Sequence, residues 1–215
     1  APFAGKTVIA GANLNYFPID LSQHANAFRD EKGWFGDAKH TFKDLPAGRQ
    51  TMAGVRFDIY EFATSPVPTV LMLSEKASKP AKEIRGIPVN RKADALFFLH
   101  TMKLDQRMNN DERRKKQQFE TLRYVVTYAD GKTEAIPVYA EIDIHDYRQK
   151  APQAIPGAQI AWTRPYEGGD TSAVAYARQW NNPRPDIEIK SIDMLPGQHP
   201  RGTPALLAIT AASVE

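Results

Sequence analysis

The densest group of side chains that could carry out chemistry is a short acidic segment. Glu141, Asp143 and His145 occur at alternate positions, and Asp146 follows directly. Alternate residues of a β-strand share one face, so these side chains would point the same way. Carboxylates and imidazole so arranged are compatible with a divalent-ion site or with hydrogen bonds to sugar hydroxyls, but the pattern favours the solvent side of a half-buried strand. The functional interpretation assigns hydroxyl binding to Asp143, His145 and Asp146.

Aromatic residues in polar surroundings form the second group. Trp34 lies in a long polar segment, and Trp162, Arg164 and Tyr166 precede a Gly-Gly pair. Exposed aromatic rings stack on the apolar faces of pyranose rings, and neighbouring polar side chains bond the hydroxyls. We therefore predict that Trp34 is exposed and binds a sugar. Trp162, Arg164 and Tyr166 are expected to form a second contact patch, and Trp180 to lie in the core or at a strand turn.

Signatures of common catalytic sites do not occur in the sequence. There is no G-x-S-x-G, H-E-x-x-H, Walker loop or G-x-G-x-x-G segment. The five histidines include no pair at metal-ligand spacing, and there is no cysteine. The lack of cysteine excludes a disulfide scaffold, a Cys-ligated metal site and thiol catalysis. These observations favour a binding protein over an enzyme.

The elements that must position these residues are β-strands, because the dominant hydrophobic period is two. The clearest case is a hairpin in which residues 121–128 and 133–139 flank Asp130 and Gly131, which are expected to supply positive φ angles. Pro137 cannot donate to a neighbour, so its strand is expected at a sheet edge. The other predicted strands are Lys6–Ala10, Tyr16–Leu21, Gln50–Tyr60, Pro68–Leu73, Ala93–His100, Ala140–His145, Gln159–Trp162, Ala173–Gln179, Pro185–Met194 and Ala205–Thr210.

Many short strands separated by turn residues are typical of an all-β sandwich or barrel. The sequence shows no alternation of strands with helices, no internal repeat and no Ser/Gly linker. We therefore predict a single domain over residues 1–215, folded as a two-sheet antiparallel β-sandwich. A short polar insertion, helical or irregular, is expected around residues 105–118.

The excess of positive charge lies in that insertion. The chain has 28 Lys and Arg residues against 25 Asp and Glu, a formal net charge of +3, and residues 107–118 carry all of this excess. Nucleic-acid binding needs an extended basic footprint, which one cluster does not provide, so we expect no nucleic-acid partner. The segment is interpreted as a solvated insertion, with contact to an acidic polymer as the alternative. No apolar run approaches the ~20 residues that span a bilayer, so no membrane span is expected.

Several segments resemble, in order and spacing, the galactose-binding-like β-sandwich (jelly-roll) domains that accompany catalytic domains in secreted bacterial carbohydrate-active enzymes. They are Ile19–Ser22, Phe28–Glu31, Gly33–Trp34, Leu45–Ile59, Gly86–Val89, Lys92–Thr101, Tyr128–Lys132 and Trp180–Asp193. The resemblance implies a non-catalytic domain that binds a polysaccharide or glycan and is secreted, periplasmic or on the cell surface. It also implies a fused or adjacent glycoside hydrolase as partner, and many related sandwiches hold a structural calcium ion. The loop 35–40 and the insertion 107–118 depart from the family pattern, so no binding residue is transferred from it.

Two other functions stay open. Long β-edges and a neutral surface outside the insertion are compatible with a structural sandwich that self-associates. A jelly-roll polysaccharide lyase or glycosidase would need clustered Tyr, His and Arg, or paired carboxylates, in one groove. The first residues lack a charged and then apolar leader, so the numbered chain is expected to be either cytosolic or a mature or trimmed form.

Overall fold

The computed structural model describes residues 13–30, 34–60, 67–74, 77, 79–105 and 118–215. None of these residues belongs to a helix, and consequently none forms a helix able to cross a bilayer. The strands of the described part are β1 Leu14–Pro18, β2 Gly48–Met52, β3 Val55–Ile59, β4 Leu71–Met72, β5 Ile84–Arg91, β6 Ala95–Lys103, β7 Glu120–Tyr128, β8 Thr133–Tyr139, β9 Arg148–Gln149, β10 Gln159–Pro165, β11 Ser172–Asn181, β12 Ile189–Pro196 and β13 Thr203–Val214.

Two antiparallel sheets form the body of the protein. The larger has seven strands, with the order β1-β13-β6-β11-β10 and with β4 paired to β13 and β9 to β11. The smaller has four strands in the order β5-β12-β7-β8, and β2 and β3 form a separate hairpin. Antiparallel sheets packed face to face are a β-sandwich, compatible with a jelly roll. The prediction of an all-β, antiparallel sandwich is confirmed.

Alternating residues of both sheets form the core between them. Along β7, Leu122, Tyr124, Val126 and Tyr128 are at most 1% exposed, as a period of two requires. Tyr124 stacks on Phe98 of β6 with 4.1 Å between ring centroids, which joins the smaller sheet to the larger. Burial of each such large side chain contributes about 1.5–3 kcal/mol to stability.

A second apolar cluster lies on the opposite face of the seven-stranded sheet. Phe97 and Leu99 of β6 point to this face, and Phe42 and Phe57 pack over it with no exposed surface. β6 is therefore buried on both faces, which explains its continuous apolar sequence. The loop 34–45 and the β2–β3 hairpin are anchored by this second cluster.

The β7–β8 hairpin is confirmed, with β8 at the edge of its sheet as Pro137 indicated. Gly131 has φ 82° and its N–H donates to the carbonyl of Tyr128 at 2.9 Å. Asp130 has no positive φ, so the turn needs the left-handed conformation at Gly131 alone. This corresponds to a type I turn followed by a left-handed glycine rather than a two-residue turn.

Two strand predictions were wrong because the chain turns inside them. The predicted strand Gln50–Tyr60 is the β2–β3 hairpin, whose turn residues Ala53 and Gly54 have φ 50° and 77°. The predicted strand Ala140–His145 is a turn, in which the N–H of Asp143 donates to the carbonyl of Tyr139. Glu141, Asp143 and His145 therefore do not share a strand face.

Other strand predictions differ in extent. β5 and β9 were not predicted as strands, whereas the predicted strand at Pro185 begins only at Ile189. The predicted strand Lys6–Ala10 and most of the predicted insertion, residues 106–117, lie outside the described residues. The prediction of one domain over residues 1–215 stays a prediction.

Candidate functional site

A polar pocket opens where the loop 34–45 meets β10, the edge strand of the seven-stranded sheet. We call it the β10 pocket; its cavity volume is about 230 Å³. Drug-sized ligand pockets enclose roughly 300–1,000 Å³, so this one suits a shallow contact with a small unit of a longer ligand. Its main lining side chains are Lys39, Thr41 and Lys43 from the loop and Trp162, Arg164 and Tyr166 from the strand side.

A β-bulge in β10 turns Trp162 towards this pocket. Ile160 pairs with Tyr176 of β11, but Trp162 pairs with the adjacent Ala175, so Ala161 is the extra residue. A bulge re-aims the side chains that follow it. Ile160 accordingly packs beside Tyr176 in a small cluster, whereas Trp162 packs on the second apolar cluster at the opposite face. The bulge thereby places Trp162 and the two predicted contact residues after it along one pocket wall.

Buried aromatic rings hold the indole of Trp162 in place. Its ring meets Phe42 edge to face at 5.2 Å, and Phe42 in turn stacks on Trp34 at 4.4 Å. Phe42 is fully buried, while Trp162 is partly exposed. A half-exposed indole with a fixed orientation suits stacking against an apolar ligand face, because little side-chain freedom is lost on binding.

The prediction that Trp34 is exposed is wrong. Its side chain is 1% exposed and contacts the rings of Phe35, Phe42 and Tyr147. Its neighbours in sequence are polar, but the loop folds over the sheet and directs the indole into the second apolar cluster. Trp34 therefore supports the pocket indirectly, by packing on Phe42, which in turn contacts Trp162. Trp180 packs against the core between the sheets, as expected.

The other predicted site residues are used in internal contacts, away from the pocket wall. His145 and Asp143 are each 7% exposed. Nε2 of His145 donates to Gln153 at 3.3 Å, and its Nδ1 accepts from the backbone N–H of Asp146. The carboxylate of Asp146 accepts from the N–H groups of Leu104 and Arg148, both at 2.9 Å. These hydrogen bonds fix loops and leave little capacity for a ligand.

Asp143 belongs to a buried polar group between the sheets, which we call the core cluster. Its members are Asp143, Arg178, His100 and Tyr124. Nε2 of His100 donates to the carbonyl of Asp143 at 2.9 Å, so Nδ1 accepts from the hydroxyl of Tyr124 at 3.0 Å. The guanidinium of Arg178 lies 3.3 Å from the carboxylate of Asp143. Burial lowers the pKa of His100 to about 3 and keeps the imidazole neutral.

A second polar group lies beside the pocket, and sequence reasoning missed it. We call it the rim cluster; its members are Asp37, His40, Tyr147 and Arg148. The carboxylate of Asp37 accepts from the hydroxyl of Tyr147 at 2.7 Å and from Nδ1 of His40 at 3.0 Å. Burial alone would raise the pKa of Asp37, but these two hydrogen bonds outweigh it, and the pKa lies below its ordinary value.

Tyr166 connects the rim cluster to the pocket. Its ring lines the pocket and meets the imidazole of His40 edge to face at 4.9 Å. Its hydroxyl is buried and has no hydrogen-bond partner among the residues that the structure describes, and burial raises its pKa. Because Nδ1 of His40 faces Asp37, Nε2 carries the free lone pair. An Asp–His pair of this kind can act as a general base.

Tertiary contacts hide the rim cluster from sequence reasoning, since Asp37 and Tyr147 are 110 residues apart. The one local signal is the spacing of Asp37 and His40. Asp37 accepts from the backbone N–H groups of Lys39 and His40, a turn geometry typical of aspartate.

Within the described part of the chain, no three His, Asp or Glu side chains are placed to hold a metal ion. The structural calcium ion implied by the resemblance stays a prediction, because calcium also accepts backbone carbonyl and amide oxygens as ligands.

Comparison with known proteins finds no match, either to a protein-family model or to a curated protein.

Proposed function

We propose that the protein is a carbohydrate-binding module that contacts a polysaccharide or glycan at the β10 pocket. The observation that carries the proposal is the convergence of Trp162, Arg164 and Tyr166 on one pocket wall. The bulge at Ala161 gives these residues a common face, and the buried rings of Phe42 and Trp34 fix the indole. An aromatic ring with polar side chains beside it is the arrangement that sugar recognition requires.

Each side chain has a distinct part in this proposal. The indole of Trp162 stacks on the apolar face of a pyranose ring. The guanidinium of Arg164, whose side chain is 53% exposed, donates to ring substituents. Thr41 and Tyr166 close the pocket at its buried end. The ligand continues along the open surface, because the cavity itself is small.

We also propose that the protein is related to the galactose-binding-like domains. The fold of antiparallel packed sheets is compatible with the galactose-binding-like jelly roll that the sequence resembles. Secretion and a fused or adjacent glycoside hydrolase remain predictions from that resemblance. The full-length precursor and its genomic neighbours would test both.

A glycan array followed by isothermal titration calorimetry tests the binding function. The wild-type chain is expected to bind at least one plant, algal or host glycan. Trp162→Ala should reduce affinity by roughly five- to thirtyfold and Trp162→Phe less, because loss of a stacking contact with its buried area costs about 1–2 kcal/mol. Tyr139→Ala, on the other sheet, is the aromatic control. No binding to any glycan would overturn the function, and unchanged binding by Trp162→Ala would overturn the site.

One observation favours a second function, an acid–base enzyme on glycans. The rim cluster supplies Tyr, His and Arg side chains together, with Nε2 of His40 free to take a proton. Reducing-end and unsaturated-product assays on polysaccharide panels test it. Turnover that is lost in His40→Gln and Asp37→Asn would support catalysis, whereas no turnover of any polysaccharide by the wild-type chain would refute it.

A further inference from the structure

The charged side chains that line the β10 pocket carry a net positive charge. Three cations and two anions line it: Lys39, Lys43, Arg164, Asp44 and Glu167. Asp44 lies 3.7 Å from Nη1 of Arg164, so these two charges largely offset one another. The ammonium groups of Lys39 and Lys43 have no carboxylate within 4 Å among the described residues. The pocket therefore keeps an excess of positive charge on its loop side.

The two lysines project from a loop whose backbone is fixed. The N–H of Lys39 donates to the carboxylate of Asp37 at 3.2 Å, and the N–H of Lys43 donates to the hydroxyl of Thr41 at 3.4 Å. Between them, Phe42 is fully buried and its N–H donates to the carbonyl of Arg29. Lys39, Thr41 and Lys43 thus face the pocket at alternate positions while Phe42 anchors the loop underneath.

The cations and the indole face the same space. Lys39, Lys43 and Arg164 line the same pocket as Trp162, so a pyranose ring stacked on the indole would present its substituents to these cations. Hydroxyl groups gain little from unpaired ammonium groups, whereas an anionic substituent gains a charge-assisted contact. Arg164 offsets the charge of Asp44, so Glu167 is the anion of this pocket that opposes the two lysines. Its side chain is exposed, and the lysines outnumber it.

From this layout we propose that the ligand of the β10 pocket is an acidic glycan, with a carboxylate or sulfate group held between Lys39 and Lys43 and its sugar ring on Trp162. The inference rests on the proposed carbohydrate-binding function and specifies its ligand class. Uronate and sulfate ester share the same recognition chemistry at this site. The binding experiment distinguishes a uronate ligand from a sulfate ester.

The test compares four polymers in calorimetry at low and at high salt: polygalacturonate, a sulfated galactan, and unsulfated galactan and cellulose oligomers as neutral partners. Acidic polymers are expected to bind and neutral ones to bind at least tenfold more weakly. Affinity for the acidic ligand should fall between about 0.05 and 0.5 M salt, because screening shortens the range of the charges. The preferred acidic polymer distinguishes carboxylate from sulfate.

The variant Lys39→Gln/Lys43→Gln should weaken acidic binding by roughly two- to thirtyfold, the range for two exposed ion pairs. The control Lys92→Gln/Lys190→Gln removes the same charge from two exposed positions, one directly after β5 and one in β12 of the smaller sheet. Equal losses in both variants would mean general charge attraction and would overturn the site.

Binding of neutral polymers as tight as that of acidic ones, still sensitive to Trp162→Ala, would overturn the acidic-glycan inference and leave the proposed function standing. Failure to bind any of a full glycan panel would overturn the proposed function, and this inference with it.

Discussion

The rim cluster and the core cluster contain the same four residue types in opposite environments. His100 and Tyr124 of the core cluster are fully buried, whereas the side chains of Asp37 and His40 are each 20% exposed. The carboxyl pKa values move in opposite directions: burial raises that of Asp143, while hydrogen bonds lower that of Asp37. Access to solvent, rather than residue composition, therefore distinguishes the two clusters.

The largest expected difference between the clusters concerns their arginines. Arg178→Ala leaves Asp143 buried without its cation, and breaking a buried ion pair costs about 3–5 kcal/mol. Arg148→Ala removes an exposed contact 3.9 Å from Asp37 and should cost less than about 1 kcal/mol. Denaturant unfolding measures both variants. Similar losses would show that the two clusters do not differ in burial as described.

The second prediction concerns the pH dependence that His100 imposes. Its folded-state pKa is about 3 against an ordinary 6.5, so the unfolded chain takes up a proton at a pH where the folded chain does not. The contribution of this residue to stability therefore falls as pH falls from about 6.5 towards 3. The slope is about 1.4 kcal/mol per pH unit.

Replacement of His100 by Gln should cancel that slope, even though it also lowers stability at neutral pH. Urea unfolding measured at several pH values from 7 to 4 gives the two slopes. Parallel curves for wild type and His100→Gln would contradict the prediction.

A smaller effect is expected from the tyrosine of the rim cluster. Tyr147→Phe removes one hydrogen bond to Asp37 and should cost about 1 kcal/mol. Since that bond also helps to hold Asp37 ionised, its loss should raise the pKa of this carboxyl. Thermal unfolding and NMR titration of the Asp37 carboxyl measure the two effects. A stability loss with an unmoved pKa would mean that Tyr147 only packs.

The smallest expected effects concern the two carboxylates. Asp37 and Asp143 should make the stability of the fold depend on pH in opposite directions. Asp37 has a folded pKa below 3.8, so its contribution is present above that pH and is lost as pH falls. Asp143 has a folded pKa above 3.8, so its contribution is greatest in acid and declines as pH rises through the folded value. Between pH 3 and 6, Asp37→Asn and Asp143→Asn should therefore change the slope of stability against pH with opposite signs. Slopes that change in the same direction would refute the contrast.

The sequence predicted the parts of this fold that depend on interactions between residues close together along the chain. The alternation of β7 and the glycine at position 131 specify a hairpin within a few residues, and the structure has it. The turn at Ala53 was missed because alanine at φ 50° has no local signal; the hairpin around it stabilises that conformation. β6 and its neighbours are buried on two faces, which the sequence shows only as an apolar run.

The candidate site shows the same difference between local patterns and tertiary contacts. The sequence could group Trp162, Arg164 and Tyr166 because they are close together along the chain, and the structure places all three at one pocket. Trp34 was misjudged because its polar neighbours suggested exposure, whereas tertiary packing buried the ring. The rim cluster could not be recognised at all, because it joins a loop near residue 37 to one near residue 147.

Four of the strands at the edges of the two large sheets share a feature with a consequence for assembly. Each contains a proline: Pro18 in β1, Pro165 in β10, Pro88 in β5 and Pro137 in β8. Proline has no N–H to offer to an incoming strand, so each edge is interrupted as a template for growth. Neighbouring copies of this protein are thus hindered from joining these strands into one continuous sheet.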